Sequence, residues 1–168
     1  MGVAGAPFEG HQDVVRPEWI DHNGHMNVGY YGVAFDYATD VWLAHLGLDT
    51  PHRETHRVTT FSLEAHFTYQ REVVEGDELR FTTQLLGFDA KRIHYFHRMV
   101  RVSDGMLSAT NEIMSLHVSE ETRRAAPMHP DVQARIAEIA DRHLALPAPP
   151  EAGRVMGLRS GATTGANA

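Results

Sequence analysis

Residues 28–46 carry the strongest helical pattern in the chain, with apolar side chains around most of the helix circumference. Only Asp36, Thr39 and Asp40 form a short polar edge. A helix of this composition is typical of a protein interior rather than of a surface. The rest of the chain must therefore cover it, and 168 residues are enough for one domain with a sizeable core.

Strand patterns dominate the residues that follow the helix. Residues 57–70 alternate cleanly, which predicts a long strand whose apolar face carries Thr59, Phe61, Leu63, Ala65, Phe67 and Tyr69. Short turns join this strand to three more in a predicted antiparallel meander: 79–86, 92–102 and 106–118. With a short strand over 11–16 and a helix over 131–143, the pattern predicts an α+β fold in which an antiparallel sheet packs on the buried helix.

Domain boundaries follow from the same patterns. We assign residues 1–10 to a loose N-terminal arm, 11–145 to the folded domain, and 146–168 to a Pro/Gly-rich extension that ends in a disordered tail. Within the domain, Gly47 is expected to stop the central helix, and residues 49–56 are expected to form a polar connection.

Composition narrows the class of protein. The net charge of -7 argues against nucleic-acid binding. No apolar run approaches the roughly 20 residues of a membrane helix. The N-terminus lacks the basic start and apolar core of a signal peptide, so we expect a cytoplasmic protein with no membrane partner. The absence of cysteine excludes disulfides, thiolate metal sites and a cysteine nucleophile.

Polar residues are concentrated immediately before the central helix, over residues 21–27. The first backbone N–H groups of a helix have no partners within it, and the helix dipole adds positive potential there. Asp21 and these N–H donors together would supply the two parts that acyl transfer requires. The carboxylate would attack or activate water, and the N–H groups would bind the oxyanion. The alternative is that Asp21 only caps the polar turn.

The neighbours of Asp21 also have structural interpretations. Asn27 is most simply the N-cap of the helix. We expect His25 to hydrogen-bond the loop and to help place Asp21. The spacing of His22 and His25 is compatible with a metal, but no third ligand is evident, so we predict neither a metal nor a cofactor.

The same stretch carries a family resemblance. Its residues form the run Val15-Arg16-Pro17-x-x-x-Asp21-x-x-Gly24-His25-Met26-Asn27-x-x-x-Tyr31. Two later pieces follow in order, Glu75-Gly76-Asp77-x-Leu79 and Leu107-x-Ala109-Thr110. Together they resemble the hotdog-fold acyl-CoA thioesterases of the 4-hydroxybenzoyl-CoA thioesterase type. The resemblance implies a sheet wrapped around the central helix, and a homodimer or homotetramer with its sites at the subunit interface.

By position, the resemblance implies that Asp21 is the catalytic acid, that the Val28 backbone N–H is the oxyanion donor, and that Tyr31 is an aromatic position on the first helical turn. It implies hydrolysis of an acyl-CoA thioester to a free acid and CoA. Without cysteine or a Gly-x-Ser-x-Gly motif, such an enzyme must use a carboxylate and water. A hydratase or dehydratase of the same fold and a non-catalytic acyl-CoA-binding module are the alternatives.

A narrower resemblance concerns the acyl group. Thioesterases that accompany or are fused to carnitine dehydrogenase act on betainyl-CoA, which would place the chain in carnitine breakdown. The runs that resemble them are Trp19-Ile20-Asp21, Lys91-Arg92-Ile93-His94, Arg123-Arg124-Ala125 and Gly153-Arg154.

Contacts with the substrate are predicted at five further residues. Tyr30 and Tyr31 would wall the acyl pocket and offer rings to a quaternary ammonium, although such a pair is more often core. Lys91 and Arg92 are the first choice for the CoA phosphates, with a solvated turn as the alternative. Glu64 is either a solvated or interface residue or a second acid in the site.

Overall fold

The computed structural model describes residues 5–158 and contains one antiparallel sheet of five strands. The strands are β1 Phe8–Val14, β2 Val58–Tyr69, β3 Glu78–Phe88, β4 Arg92–Arg101 and β5 Leu107–Ser119. The helices of these residues are α1 Val28–His45, α2 Thr50–His56 and α3 Pro130–His143, with a short 3-10 helix at Pro17–Trp19. The predicted α+β class, the long central helix and the C-terminal helix are confirmed.

The order of the strands, β1-β3-β4-β5-β2, differs from the predicted meander. Strands β3, β4 and β5 do form a meander, but β2 pairs with β5 rather than with β3. Strand β1 covers the other edge of β3. The alternation within a strand does not identify its neighbour, which explains the error. The connection of residues 70–77 must cross from the β2 edge to β3, and its Val73 is fully buried.

Helix α1 packs on one face of the sheet and forms the core with it. Its buried side chains recur every three or four residues, and the apolar ones are Tyr31, Ala34, Phe35, Ala38 and Trp42. On its outer side, the residues Val28, Val33 and Tyr37 are between 37% and 59% exposed in the single chain. The predicted burial of the helix is therefore confirmed for one face only.

The ends of α1 lie where the sequence predicts them. Asn27 is the N-cap, and Gly47 follows the helix with a φ of +88°, a conformation that favours glycine. The predicted polar connection, in contrast, contains helix α2. Asp49 caps it by accepting the N–H of His52 at 3.0 Å, and Pro51 lies in its first turn. Seven residues are too few to show an apolar helical stripe, so the Asp49 cap was the local feature that could have predicted this helix.

The structure contradicts the loose character predicted for residues 8–10 and adds contacts for the predicted extension. Strand β1 begins at Phe8, so residues 8–10 of the predicted arm pair with the sheet. Part of the predicted extension lies on the face of the sheet opposite α1, where the Gly153 N–H donates to Glu112 at 2.7 Å and Arg98 lies 3.4 Å from Glu151. The remaining predictions for the arm (residues 1–4) and for the disordered tail (residues 159–168) lie outside the described residues.

Strand β2 forms an edge of the sheet, and a β-bulge interrupts its alternation. Leu63 is an extra residue between the pairs that join residue 62 to 115 and residue 64 to 114. The bulge reverses the facing of the first half of the strand, so Phe61 and Leu63 are 42% and 55% exposed, whereas Phe67 packs on the core. The continuous apolar face predicted for this strand is wrong for this reason.

Two predictions from composition concern location and partners. No helix among residues 5–158 is long and apolar enough to cross a membrane. The cytoplasmic location and the lack of nucleic-acid binding stay predictions.

Candidate active site

The loop of residues 20–27 leads into α1 and is held by its own backbone. The Asp21 N–H donates to the His25 carbonyl at 3.0 Å, and the Gly24 N–H donates back to the Asp21 carbonyl at 3.0 Å. Gly24 has a φ of +80°, which a residue with a side chain adopts at a cost. The Met26 N–H donates to the Val73 carbonyl at 2.9 Å. The loop therefore presents Asp21 from a backbone that is fixed both internally and to the connection after β2.

The carboxylate of Asp21 accepts two hydrogen bonds. Its Oδ1 accepts the backbone N–H of Asn23 at 2.8 Å, and its Oδ2 accepts Nδ2 of Asn27 at 3.3 Å. The Asn23 N–H contributes most to lowering the pKa of Asp21, and Asn27, His22 and His25 lower it further. Asp21 is therefore ionised at neutral pH, as a nucleophile or a general base must be. The bond from Asn23 also shows that Asp21 caps the turn, which was the alternative interpretation. Capping does not exclude catalysis, because each carboxylate oxygen keeps further lone pairs.

Asn27 connects Asp21 to the start of α1. Its Oδ1 accepts the N–H of Gly29 at 2.9 Å, which confirms the predicted N-cap, while its Nδ2 donates to Asp21. Within the part of the chain that the structure describes, the Val28 N–H has no hydrogen-bond partner, and Val28 is 59% exposed. A free N–H at the positive end of a helix dipole suits an oxyanion. Asn27 thus contacts the acid with one end of its amide and caps the helix with the other, and Val28 is the next residue in the chain.

The ring of His25 has a different partner from the one that was predicted. Its Nε2 lies 3.2 Å from Oε1 of Glu72, in the connection after β2. His25 positions Asp21 through its backbone carbonyl, a contact that does not require an imidazole. The bond between Met26 and Val73 brings Glu72 to this place, and local spacing in the sequence does not reveal it.

The two tyrosines of the first turn have different environments. Tyr31 is 5% exposed, its ring meets Tyr69 edge-on at 5.2 Å, and its hydroxyl lies beside Ser108. Burial raises the pKa of Tyr31. Tyr30 is partly exposed and stacks on Trp19 at 5.8 Å. Tyr31 is therefore a core residue of the single chain, whereas Tyr30 and the half-exposed Tyr69 present ring surface near the helix start.

The other predicted contact residues lie away from Asp21 in the same chain. Lys91 and Arg92 are at the turn between β3 and β4, beside the C-terminal half of α1, whereas Asp21 adjoins the N-terminal end. Asp89 holds Arg92 at 2.6 Å, and this contact lowers the pKa of Asp89 to about 2. Glu64 is exposed in the middle of β2. Contacts from these residues to a substrate at Asp21 would have to come from a second chain.

Sequence reasoning did not find Tyr69 and Glu72, although both lie beside the helix start. They reach it through the path of the connection after β2, and no local signal marks them. Knowledge of the strand order would have placed both residues near the helix start, but the sequence did not reveal that order. Over residues 5–158, no group of three or more histidines and carboxylates is arranged to hold a metal ion.

Residues 15–136 match a family described as the thioesterase-like superfamily. A Pseudomonas aeruginosa protein named betainyl-CoA thioesterase is 44% identical over 144 residues, which cover 86% of this chain and 91% of that protein. A Rhizobium meliloti protein named L-carnitine dehydrogenase/betainyl-CoA thioesterase is 35% identical over 86% of this chain, but only over 29% of its own length. A hypothetical protein of Staphylococcus aureus, solved in complex with CoA, has a TM-score of 0.85 and 29% identity over 94% of this chain and 99% of its own.

The fold, the acid at the helix start and these likenesses together define an acyl-CoA thioesterase with the hotdog fold. The match over residues 15–136 begins at the run that carried the resemblance and extends into α3. The chain belongs to the thioesterase-like superfamily. The predicted family, fold and reaction class are confirmed.

Proposed function

We propose that this thioesterase acts without a metal, with Asp21 as its catalytic carboxylate and the Val28 N–H as the donor to the thioester carbonyl oxygen. The observation that carries the proposal is an ionised Asp21 bonded to Asn27, the N-cap that directly precedes Val28, whose N–H has no partner within residues 5–158. Attack on the carbonyl carbon moves negative charge onto its oxygen, where the N–H and the helix dipole stabilise it.

Two routes use the same geometry. In one, Asp21 deprotonates a water that attacks the carbonyl carbon. In the other, Asp21 attacks and forms an acyl anhydride, which water then hydrolyses. In both, the intermediate collapses with cleavage of the C–S bond, and the CoA thiolate takes up a proton. Each route consumes one water and releases a free acid and CoA.

The Asp21→Asn variant tests the catalytic role. An amide oxygen can still accept the Asn23 N–H, but it carries no charge and is neither a base nor a nucleophile. We expect kcat to fall about 100-fold or more, measured as thiol release in the presence of a chelator. Glu18→Gln, at an exposed position on the preceding segment, is the matched control and should retain wild-type kcat. A fully active Asp21→Asn variant, or strict dependence of the wild type on a metal, would refute the proposal.

Betainyl-CoA is the substrate that we propose. The 44% identical protein of that name supports it, because the likeness extends over 91% of that protein. The assay compares kcat/KM for betainyl-CoA, acetyl-CoA, an eight-carbon acyl-CoA and 4-hydroxybenzoyl-CoA. If betainyl-CoA is hydrolysed no better than acetyl-CoA, the substrate is wrong and only the general thioesterase activity stands.

We also propose that a second chain completes the site in a homodimer, or in a homotetramer of paired dimers. Strand β2 is an edge strand with exposed Phe61 and Leu63, and such edges are normally covered. The outer side of α1 adds exposed Val33 and Tyr37 to the apolar surface of the single chain. A second chain is also what would bring basic residues to CoA bound at Asp21.

A further inference from the structure

A second group of residues lies at the start of α1 and contacts Tyr31 and His25, which are close to Asp21 in the chain. Tyr69, the last residue of β2, is 51% exposed, and its ring meets Tyr31 edge-on at 5.2 Å. The side chain of Glu72 is 69% exposed, with Oε1 lying 3.2 Å from Nε2 of His25. The backbone bond from Met26 to Val73 holds this connection against the loop that carries Asp21. An exposed ring and an exposed carboxylate thus lie near the helix start, where the thioester is proposed to react.

This combination suits a quaternary ammonium ion. A trimethylammonium group has no N–H to donate, so a protein recognises it by negative charge and by aromatic ring faces. Burial raises the pKa of Tyr31, and the nearby charge of Glu72 contributes to the same direction. The contact between His25 and Glu72 uses Oε1 and leaves Oε2 for a cation.

Position separates Glu72 from two other acids, Glu64 and Asp36. In a betainyl group one methylene joins the carbonyl to the ammonium, so the cation must lie next to the reacting atoms. Glu64 is five residues before Tyr69 on β2, roughly 16 Å away at ~3.3 Å per residue. Asp36 is eight residues beyond Val28 on α1, roughly 12 Å away at ~1.5 Å per residue. Both are too distant, whereas Glu72 adjoins the loop that carries Asp21.

We propose that Tyr69 and Glu72 bind the trimethylammonium end of the substrate and select a cationic acyl group. This inference rests on the proposed function. Tyr69 supplies a ring face, Glu72 supplies the negative charge, and His25 orients the carboxylate. A neutral acyl group of the same shape gains nothing from the charge of Glu72. The pair therefore discriminates by charge rather than by size.

The test compares betainyl-CoA with 3,3-dimethylbutanoyl-CoA, in which a carbon replaces the ammonium nitrogen and the shape is kept. Wild type should have the higher kcat/KM for betainyl-CoA. Glu72→Gln should lower this preference about fivefold, the scale of an exposed ion pair, mainly through KM for the cation. Glu75→Gln removes the same charge from an exposed position in the same connection and should leave the preference intact.

Variants of Tyr69 test the ring independently of the charge. Tyr69→Leu should lower the preference about tenfold, the scale of a partly desolvated cation–π contact. Tyr69→Phe keeps the ring and should retain the preference. Urea unfolding of each variant shows whether any loss of activity reflects loss of fold.

The outcomes separate this inference from the function on which it rests. A wild-type enzyme that hydrolyses neither thioester, or both equally well, refutes betainyl-CoA as the substrate. A wild-type preference that survives in both Glu72→Gln and Tyr69→Leu refutes the inference alone. An equal fall in Glu72→Gln and Glu75→Gln also overturns the assignment of Glu72, because net charge alone would then explain the effect.

Discussion

Asn27 joins the two halves of the proposed mechanism, because its oxygen caps α1 and its nitrogen donates to Asp21. Asn27→Ala removes both contacts. Loss of an N-cap lowers the free energy of unfolding by about 1 kcal/mol, which lowers Tm by about 2–4 °C in a chain of this size. The same change removes one of the hydrogen bonds that lower the pKa of Asp21. We therefore expect Asn27→Ala to be both less stable and less active.

Asn27→Asp separates the two effects. Aspartate is as good an N-cap as asparagine, and its charge suits the helix N-terminus. The free energy of unfolding should therefore stay within about 0.5 kcal/mol of wild type. The new carboxylate cannot donate to Asp21 and instead repels it, which raises the pKa of Asp21. The acid limb of the pH profile of kcat/KM should move to higher pH.

Urea unfolding measures the stability of these variants, and thiol release across the pH range measures kcat and KM. Asp49→Ala is the matched control, because it removes the N-cap of α2 outside the site. It should lose about the same free energy of unfolding, about 1 kcal/mol, and retain wild-type kcat. An equal loss of kcat in Asn27→Ala and Asp49→Ala, or a wild-type pH profile in Asn27→Asp, would refute the link between Asn27 and Asp21.

Two further predictions concern stability and assembly. Burial lowers the pKa of His97 to about 3 and of His143 to about 4. The folded state therefore keeps both histidines neutral at pH values where the unfolded chain protonates them. The free energy of unfolding is unaffected above about pH 6.5 and falls below it, by about 1.4 kcal/mol per pH unit for each histidine, until the pH reaches these lowered values. Urea midpoints should therefore fall between pH 7 and pH 5, and less steeply in His143→Gln; a flat profile contradicts this. Light scattering should give a mass of at least twice 18.8 kDa for wild type. The Leu63→Lys variant should have a mass of 18.8 kDa and should be inactive. A wild-type protein that is active as a monomer would contradict the proposed dimer.

Helix α1 could be predicted because its signals are local. The apolar spacing, the cap at Asn27 and the stop at Gly47 all lie within the segment or beside it. Strand β2 shows the opposite case, because its existence is local but its neighbour is not. Its alternation fits β3 as well as β5, and the extra residue at Leu63 changes which side chains face the core without altering the apparent pattern.

The candidate site divides in the same way. Asp21, Asn27 and Val28 lie within one short stretch, so the chemistry of the acid, the cap and the helix-start N–H could be predicted together. Glu72 and Tyr69 enter through the crossing of the connection after β2, which depends on the strand order. The contact of Glu72 with the His25 ring therefore could not be predicted from spacing within the loop.

The lowered pKa of Asp21 and its proposed catalytic role impose opposite demands. A carboxylate whose pKa is lowered by Asn23 and Asn27 is ionised at neutral pH, but it is a weak base. A bound thioester and a second chain would exclude water from it, and desolvation raises the pKa of a carboxylate. The bond from Asn27, at 3.3 Å, is the longer of the two that the carboxylate accepts. In this mechanism the free enzyme keeps Asp21 ionised and accessible, and the substrate itself supplies the desolvation that makes it reactive.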